Sequence, residues 1–307
     1  MTATALPLVV AAAFVHAGWN LAAKRVPGGG ARFVFLYYAV SAALLVPIAA
    51  VVVPVAGWSL SGTWVLAMVG TAVFHVAYGV VLQRGYAVGD LSVVYPVARG
   101  SGPLLSVAIA VLVLGERPGA VGLVGAALVV LGVFVIGTGS GTRSSTGRTP
   151  GSSTGSTNTA ATDGGIARRA GIVWGVLTGV TIAAYTLWDA FSVTTLDVPV
   201  VAYLAGGSAL QALLLAPVAG RDRSDTGRLW REHRREVVLV GLLSPVAYVL
   251  VLLAMRIAPV SMVAPARELG IVVGGLAAWR MFGEPDPLRR ILGSLVVLAG
   301  ITAIALA

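Results

Sequence analysis

No cysteine occurs in the 307 residues, so disulfides and thiolate metal sites are excluded and nothing marks the redox compartment. Charge is scarce as well. Asp, Glu, Lys and Arg make up 11% of the chain, less than half of the roughly 25% typical of a soluble domain. Acids are outnumbered 12 to 21 by Lys and Arg, and the three histidines, His16, His75 and His233, are too scattered to form a metal site. No Gly-Lys-Ser/Thr phosphate loop and no Ser/His/Asp constellation is present, so the usual signatures of ATP hydrolysis and nucleophilic catalysis are missing.

What remains is apolar. Hydrophobic residues make up 57% of the chain and the mean hydropathy is +0.92, so most of the surface must face lipid rather than water. The net charge of +9 does not indicate nucleic acid. The basic residues fall mostly in short connections between apolar runs and form no aromatic-interleaved patch. The first of them, Lys24, follows the first apolar run. A secretory signal places its charges before that run, so a retained span is expected there.

Runs long enough for a ~30 Å hydrocarbon layer, about 20 residues each, lie at 6–23, 33–53, 63–83, 91–114 and 121–137. A second set lies at 171–191, 198–218, 237–253, 261–281 and 291–307. They lack the alternation of barrel strands and are rich in Gly and Ala, which let helices approach closely in lipid. The segment between the sets is largely Ser, Thr and Gly with no aromatics, a composition that cannot bury enough apolar surface to fold. The expected organisation is a first five-helix repeat at 1–138, a flexible linker at 139–169 and a second five-helix repeat at 170–307.

The two halves repeat one another. His16-Ala-Gly-Trp19-Asn20 is echoed by Tyr185-Thr-Leu-Trp188-Asp189, and Val76-Ala-Tyr78 by Val246-Ala-Tyr248. Ser92-Val-Val-Tyr95-Pro96 is echoed by Ser261-Met-Val-Ala264-Pro265, and Gly115-Glu116 by Gly283-Glu284. Gly125 and Gly132 correspond to Gly293 and Gly300, and every offset lies between 168 and 170, in unbroken order. Five spans per half is an odd number, so the second half enters the membrane from the opposite side. The fold class expected is all-α, ten transmembrane helices as two inverted five-helix repeats. Such folds place a substrate site near the bilayer midplane and rock one repeat against the other.

These features together resemble the EamA branch of the drug/metabolite transporter superfamily. The residues that carry the resemblance are Trp19-Asn20 near the end of the first span, Tyr95-Pro96-Val-Ala-Arg99-Gly100 in the fourth, and the two Gly-Glu pairs with a proline close behind. The resemblance covers nearly the whole chain except the linker. It implies a ten-helix alternating-access carrier, commonly an exporter of amino acids or other metabolites, with some members exchanging nucleotide sugars or sugar phosphates or expelling drugs.

An ionisable side chain in mid-span costs about 3 kcal/mol and usually faces a cavity or a partner. Arg99 is the sharpest case, with Tyr95, Pro96 and Ser92 one and two turns before it on one helical face. A guanidinium beside Tyr and Ser suits capture of a carboxylate or phosphate; the structural alternative is an Arg satisfied by neighbouring carbonyls. Arg267 and Glu268 sit at the matching depth. Arg99 and Arg267 each precede their Gly-Glu glutamate by seventeen residues, which marks Arg267 as the counterpart. Adjacent residues point about 100° apart on a helix, so Arg267 and Glu268 face different neighbours.

His16, Trp19 and Asn20 fall on one helical face, as do Tyr185, Trp188 and Asp189. A polar-aromatic stripe repeated on related helices reads as cavity lining; the alternative is an interfacial aromatic belt. Tyr78 and Tyr248 complete the candidate site. Glu116 and Glu284 read as helix stops, the glycine pairs as packing grooves, and His75 as a satisfied bundle histidine.

The function expected is secondary transport, as an exporter, of a small metabolite by alternating access, an amino acid or other carboxylate-bearing solute first. The alternative is efflux of drugs or lipophilic cations by proton antiport, and a membrane-embedded enzyme or scaffold comes third. Expected partners are the lipid bilayer and a small-molecule solute, with a homodimer left open, no nucleic acid, and neither cofactor nor metal. The location expected is the inner or plasma membrane, multi-pass. Lys and Arg concentrate in one set of connections, which the positive-inside rule makes cytoplasmic, and both termini then lie outside.

Overall fold

The structure, a computed structural model, describes residues 4–26, 30–89, 91–137, 157–282 and 287–307. Most of the linker, the Gly283-Glu284 pair and the side chain of Ser92 lie outside the described residues. All regular structure among the described residues is helical: α1 (Ala5–Ala23), α2 (Gly30–Val55), α3 (Gly62–Val88), α4 (Leu91–Leu112) and α5 (Gly119–Gly137) in the first half. The second half holds α6 (Thr157–Thr194), α7 (Val200–Gly220), α8 (Arg223–Ile257), α9 (Val260–Ala266), α10 (Leu269–Phe282) and α11 (Pro287–Leu306).

Ten of these units are long and apolar enough to cross a membrane, with α9 and α10 together forming one span. Exposed Val51, Leu112, Val113 and Leu213 cover the outer faces, as a lipid solvent allows. The α9–α10 span is the most enclosed, with 260–272 buried throughout, and α2 is the least.

Local chemistry sets the ends. Ser61 caps α3 by accepting from the Trp64 N–H at 3.3 Å, and Asp222 caps α8 by accepting from the Asp225 N–H at 3.0 Å. Gly115 and Gly119 adopt φ of +70° and +71° and turn the chain between α4 and α5 around Glu116, the stop the sequence indicated.

Two elements depart from expectation. Helix α6 extends back to Thr157, into the segment read as linker, while its membrane-crossing part begins at Arg168. The ninth span is broken. Past Pro265 the i→i−4 ladder gives way to i→i−3 bonds, Glu268 N–H to Pro265 O, Gly270 N–H to Arg267 O and Ile271 N–H to Glu268 O. Its counterpart α4 stays continuous through both Pro96 and Pro103.

The main helix pairings recur when the halves are exchanged. α1 packs on α8 as α6 packs on α3, and α2 packs on α8 as α7 packs on α3. α4 lies along α6 as α10 lies along α1, while α2 meets α7 and α5 meets α11. Glycines allow the closest approach. A methyl built on Gly125 would sit 2.7 Å from the Gly300 carbonyl oxygen, and one on Gly132 would sit 2.7 Å from that of Gly293. As one residue number rises the other falls, so the equivalent helices α5 and α11 run antiparallel.

Candidate functional site

The polar cluster is assembled from six helices. Helix α6 presents Tyr185 and Asp189, one turn apart. Asp189 is 0% exposed, and a carboxylate so enclosed needs donors. Tyr203 of α7 donates its hydroxyl to Oδ1 at 2.5 Å, and Tyr248 of α8 donates to Oδ2. His75 of α3 brings Nε2 to 3.9 Å from the same Oδ2. Its Nδ1 lies 3.0 Å from the Thr71 carbonyl oxygen and 3.1 Å from the Thr71 hydroxyl.

Tyr185 is the hub of the aromatic packing. The His75 ring stacks on it at 4.3 Å, Tyr78 meets it edge-on at 5.6 Å, and the Arg267 guanidinium lies 5.8 Å from its ring centre, within cation–π range. Arg267 and Glu268 are carried into this space by the break between α9 and α10, where unwound backbone replaces a regular turn.

Glu268 turns the other way. Its Oε2 lies 3.4 Å from Nη2 of Arg99 on α4, so the two charges pair across the boundary between the halves. Both side chains are enclosed, 16% and 1% exposed. Among the described residues, Arg99 Nε and Glu268 Oε2 are buried without a hydrogen-bond partner, so the pair leaves polar capacity unused. Tyr95, one turn before Arg99, is 38% exposed. His16 lies within electrostatic range of both Arg99 and Arg267, and a methyl on Gly270 would come 3.2 Å from its ring.

Thus Asp189, Tyr185, Tyr78, Tyr248, Arg267, Glu268 and Arg99 come together, with His16 at the edge. Trp188 lies apart: its Nε1 donates to the Ala67 carbonyl at 3.0 Å and its ring covers Gly70 and Phe74 on α3. Trp19 sits edge-on to His16 at 4.7 Å and packs beside Val26, Phe33, Val237 and Val240. Asn20 is exposed and donates to its own helix, at the His16 carbonyl, 2.8 Å. The related stripes therefore meet different surroundings in the two halves.

His75, Tyr203 and Thr71 join the cluster without having been singled out as site residues. Their signal was Asp189 itself, an acid in mid-span that had to find donors on neighbouring helices. Glu116 lies outside the cluster. Its carboxylate accepts from the Val260 N–H at 2.9 Å and the Ser261 N–H at 2.8 Å, capping α9.

The sequence pattern described as the EamA-like transporter family matches residues 169–306. Through its second half, the chain is similar to the EamA-like transporter family. The EamA-like family consists of membrane transporters of small solutes, and the ten apolar spans among the described residues make this chain a multi-pass membrane protein. A solved structure described as "Crystal structure of protein" is similar over 100% of this chain and 99% of that one. It has a TM-score of 0.74 and 16% sequence identity, a likeness of fold alone. Among curated proteins, none matches the chain.

Proposed function

We propose that the chain is a secondary transporter of a small zwitterionic metabolite, an amino acid being the best fit, working in the cell membrane by alternating access between two inverted five-helix repeats. The observation that carries this reading is the placing of opposite charges about Tyr185. Arg267 lies over its ring, and Asp189 lies one turn further along α6. Arg267 takes the carboxylate, Asp189 takes the ammonium, and Tyr185, Tyr78 and Tyr248 pack the remainder.

The carboxylate-anchoring role first expected of Arg99 passes to Arg267, because Arg99 already faces Glu268. The Arg99–Glu268 pair then tethers the two repeats at the depth of the site. Antiparallel α5 and α11 and the exchangeable helix pairing support the inverted arrangement, which gives the site access from alternate sides. Without a nucleotide-binding motif, the driving force is a solute or ion gradient. Export is the direction that the resemblance implies. The acid within an aromatic setting also suits a lipophilic cation; the nearby Arg267 weighs against it.

Counterflow in liposomes, run with a panel of amino acids, carboxylates and lipophilic cations, tests the reading. An amino acid should exchange. Arg267→Gln should weaken its binding about tenfold or more, since a hydrogen bond to a charged group contributes about 1.5–3 kcal/mol. Uptake of cations alone, unaffected by Arg267→Gln, would overturn the zwitterion reading.

A further inference from the structure

Helix α8 is too long for the layer it crosses. Its 35 residues would run about 52 Å at 1.5 Å per residue, against a ~30 Å hydrocarbon core. Residues 237–255 carry no charge and are long enough to cross on their own. Residues 223–236 are crowded with Arg, Asp and Glu, so this surplus stretch stays outside the hydrocarbon. Between the two parts, at His233, the backbone leaves helical dihedrals (φ −123°, ψ 24°), and two helices meet there at a kink.

The surplus helix is held close to the bundle. Leu229 packs onto the cluster of Val26, Phe33, Val237 and Val240, and Arg32 of α2 reaches Asp225 at 2.6 Å and Asp222 at 3.6 Å. Trp230, next to Leu229, is instead exposed, and beyond the kink Leu239 and Leu242 also face outward. Tryptophan concentrates where hydrocarbon gives way to headgroups. The local acids are partly spent: Asp222 and Asp225 face Arg32, and Arg228 pairs with Asp225. Glu232 and Glu236 remain. Against them stand Arg221, Arg223, Arg231, Arg234 and Arg235, all exposed and none in an ion pair with a described residue.

We propose that the kinked stretch at 223–235 is a docking surface for the headgroups of anionic phospholipids in the membrane that carries the protein. Trp230 sits at the boundary of the hydrocarbon, and Arg231, Arg234 and Arg235 gather lipid phosphates around it. A guanidinium donates two parallel hydrogen bonds to a phosphate, which suits it to this task better than an ammonium. Each basic side chain near an anionic leaflet favours the contact about fivefold. A polyanion in solution would use the arginines but would leave an exposed tryptophan beside the hydrocarbon without a role. The surface is separate from the polar cluster around Tyr185 and does not depend on which solute is carried.

Quenching of tryptophan emission by brominated lipids tests this on the full chain in bilayers. Trp230 is one of seven tryptophans, so its own emission is taken as the difference between wild type and Trp230→Phe. Bilayers of phosphatidylcholine receive either brominated phosphatidylglycerol or brominated phosphatidylcholine at equal mole fraction. The anionic lipid should quench the Trp230 signal as though enriched about fivefold or more around it. Raising the salt to about 1 M, where screening acts within about 3 Å, should reduce that enrichment. Arg231→Gln combined with Arg234→Gln should reduce it too, while Arg256→Gln, in the α8–α9 connection, should leave it as in wild type. Equal quenching by the two lipids would overturn the headgroup site. Absence of quenching by either would place the segment away from the bilayer and overturn it as well, leaving a soluble acidic partner as the reading of the arginines.

Discussion

Nη2 of Arg99 meets Oε2 of Glu268 at 3.4 Å, joining α4 of the first half to the broken span of the second. Arg99 precedes Glu116 by seventeen residues, as Arg267, the neighbour of Glu268, precedes Glu284. Enclosed charges of this kind contribute little net stability when paired, yet removing one partner strands the other. Arg99→Ala and Glu268→Gln should therefore each destabilise the folded protein by about 3 kcal/mol or more, whereas Arg99→Met with Glu268→Leu should recover most of it. Thermal unfolding in detergent, run as a double-mutant cycle, checks this. Additive losses would mean that the two side chains act independently.

The ten spans were legible because a membrane span is a matter of composition and length, both printed in the chain. Pairing across the halves was not. Adjacent Arg267 and Glu268 had to face different neighbours, but helical geometry alone could not assign Glu268 to Arg99. The break in the ninth span was equally hidden, since Pro96 and Pro265 occupy matching positions and only the second interrupts its helix. The Trp-Asn and Trp-Asp stripes show the same limit. Their spacing is identical, yet Asn20 faces outward while Asp189 is sealed among three helices. What decides such cases is the residue on the opposing helix, which no periodicity encodes.

Glu116 ties the α4–α5 turn to the start of α9 through two backbone N–H groups. An acceptor at a helix N-terminus typically contributes about 1 kcal/mol, with a further gain from the helix dipole when it is charged. Glu116→Ala should lower stability by about 1–2 kcal/mol, and Glu116→Gln, which retains an acceptor oxygen, by less. Unfolding by heat in detergent measures both. An effect of Glu116→Gln equal to that of Glu116→Ala would show that the oxygen acceptor is not what matters.

The α5–α11 contact should be the least forgiving surface in the fold. A side chain on Gly125, Gly132, Gly293 or Gly300 meets opposing backbone within 3.0 Å as well as side chains. Gly125→Val and Gly300→Val should each cost about 1–3 kcal/mol and sharply reduce the yield of folded protein. Gly79→Ala, on a helix with nothing within 4 Å of the added methyl, is the matched control. Comparable yield for Gly125→Val and Gly79→Ala would contradict the close approach of these helices.

The distribution of basic residues sets the direction of insertion. Lys24, Arg25, Arg32, Arg84, Arg289 and Arg290, together with the arginines between 221 and 235, belong to one set of connections. Arg32 reaches Asp225 at 2.6 Å and Asp222 at 3.6 Å, so the α1–α2 and α7–α8 connections share one face. Arg256 pairs with Asp197, which groups the α6–α7 and α8–α9 connections on the face that holds few basic residues. Lys and Arg near span ends are retained in the cytoplasm during insertion, and Asp and Glu contribute little to that choice. The basic face should therefore be cytoplasmic and both termini external. A C-terminal reporter that works only in the cytoplasm should stay silent, and one that works only outside should be active. Replacing Arg221, Arg223, Arg228, Arg231, Arg234 and Arg235 with Gln should weaken this preference. Strong cytoplasmic activity from the unaltered chain would reverse the assignment.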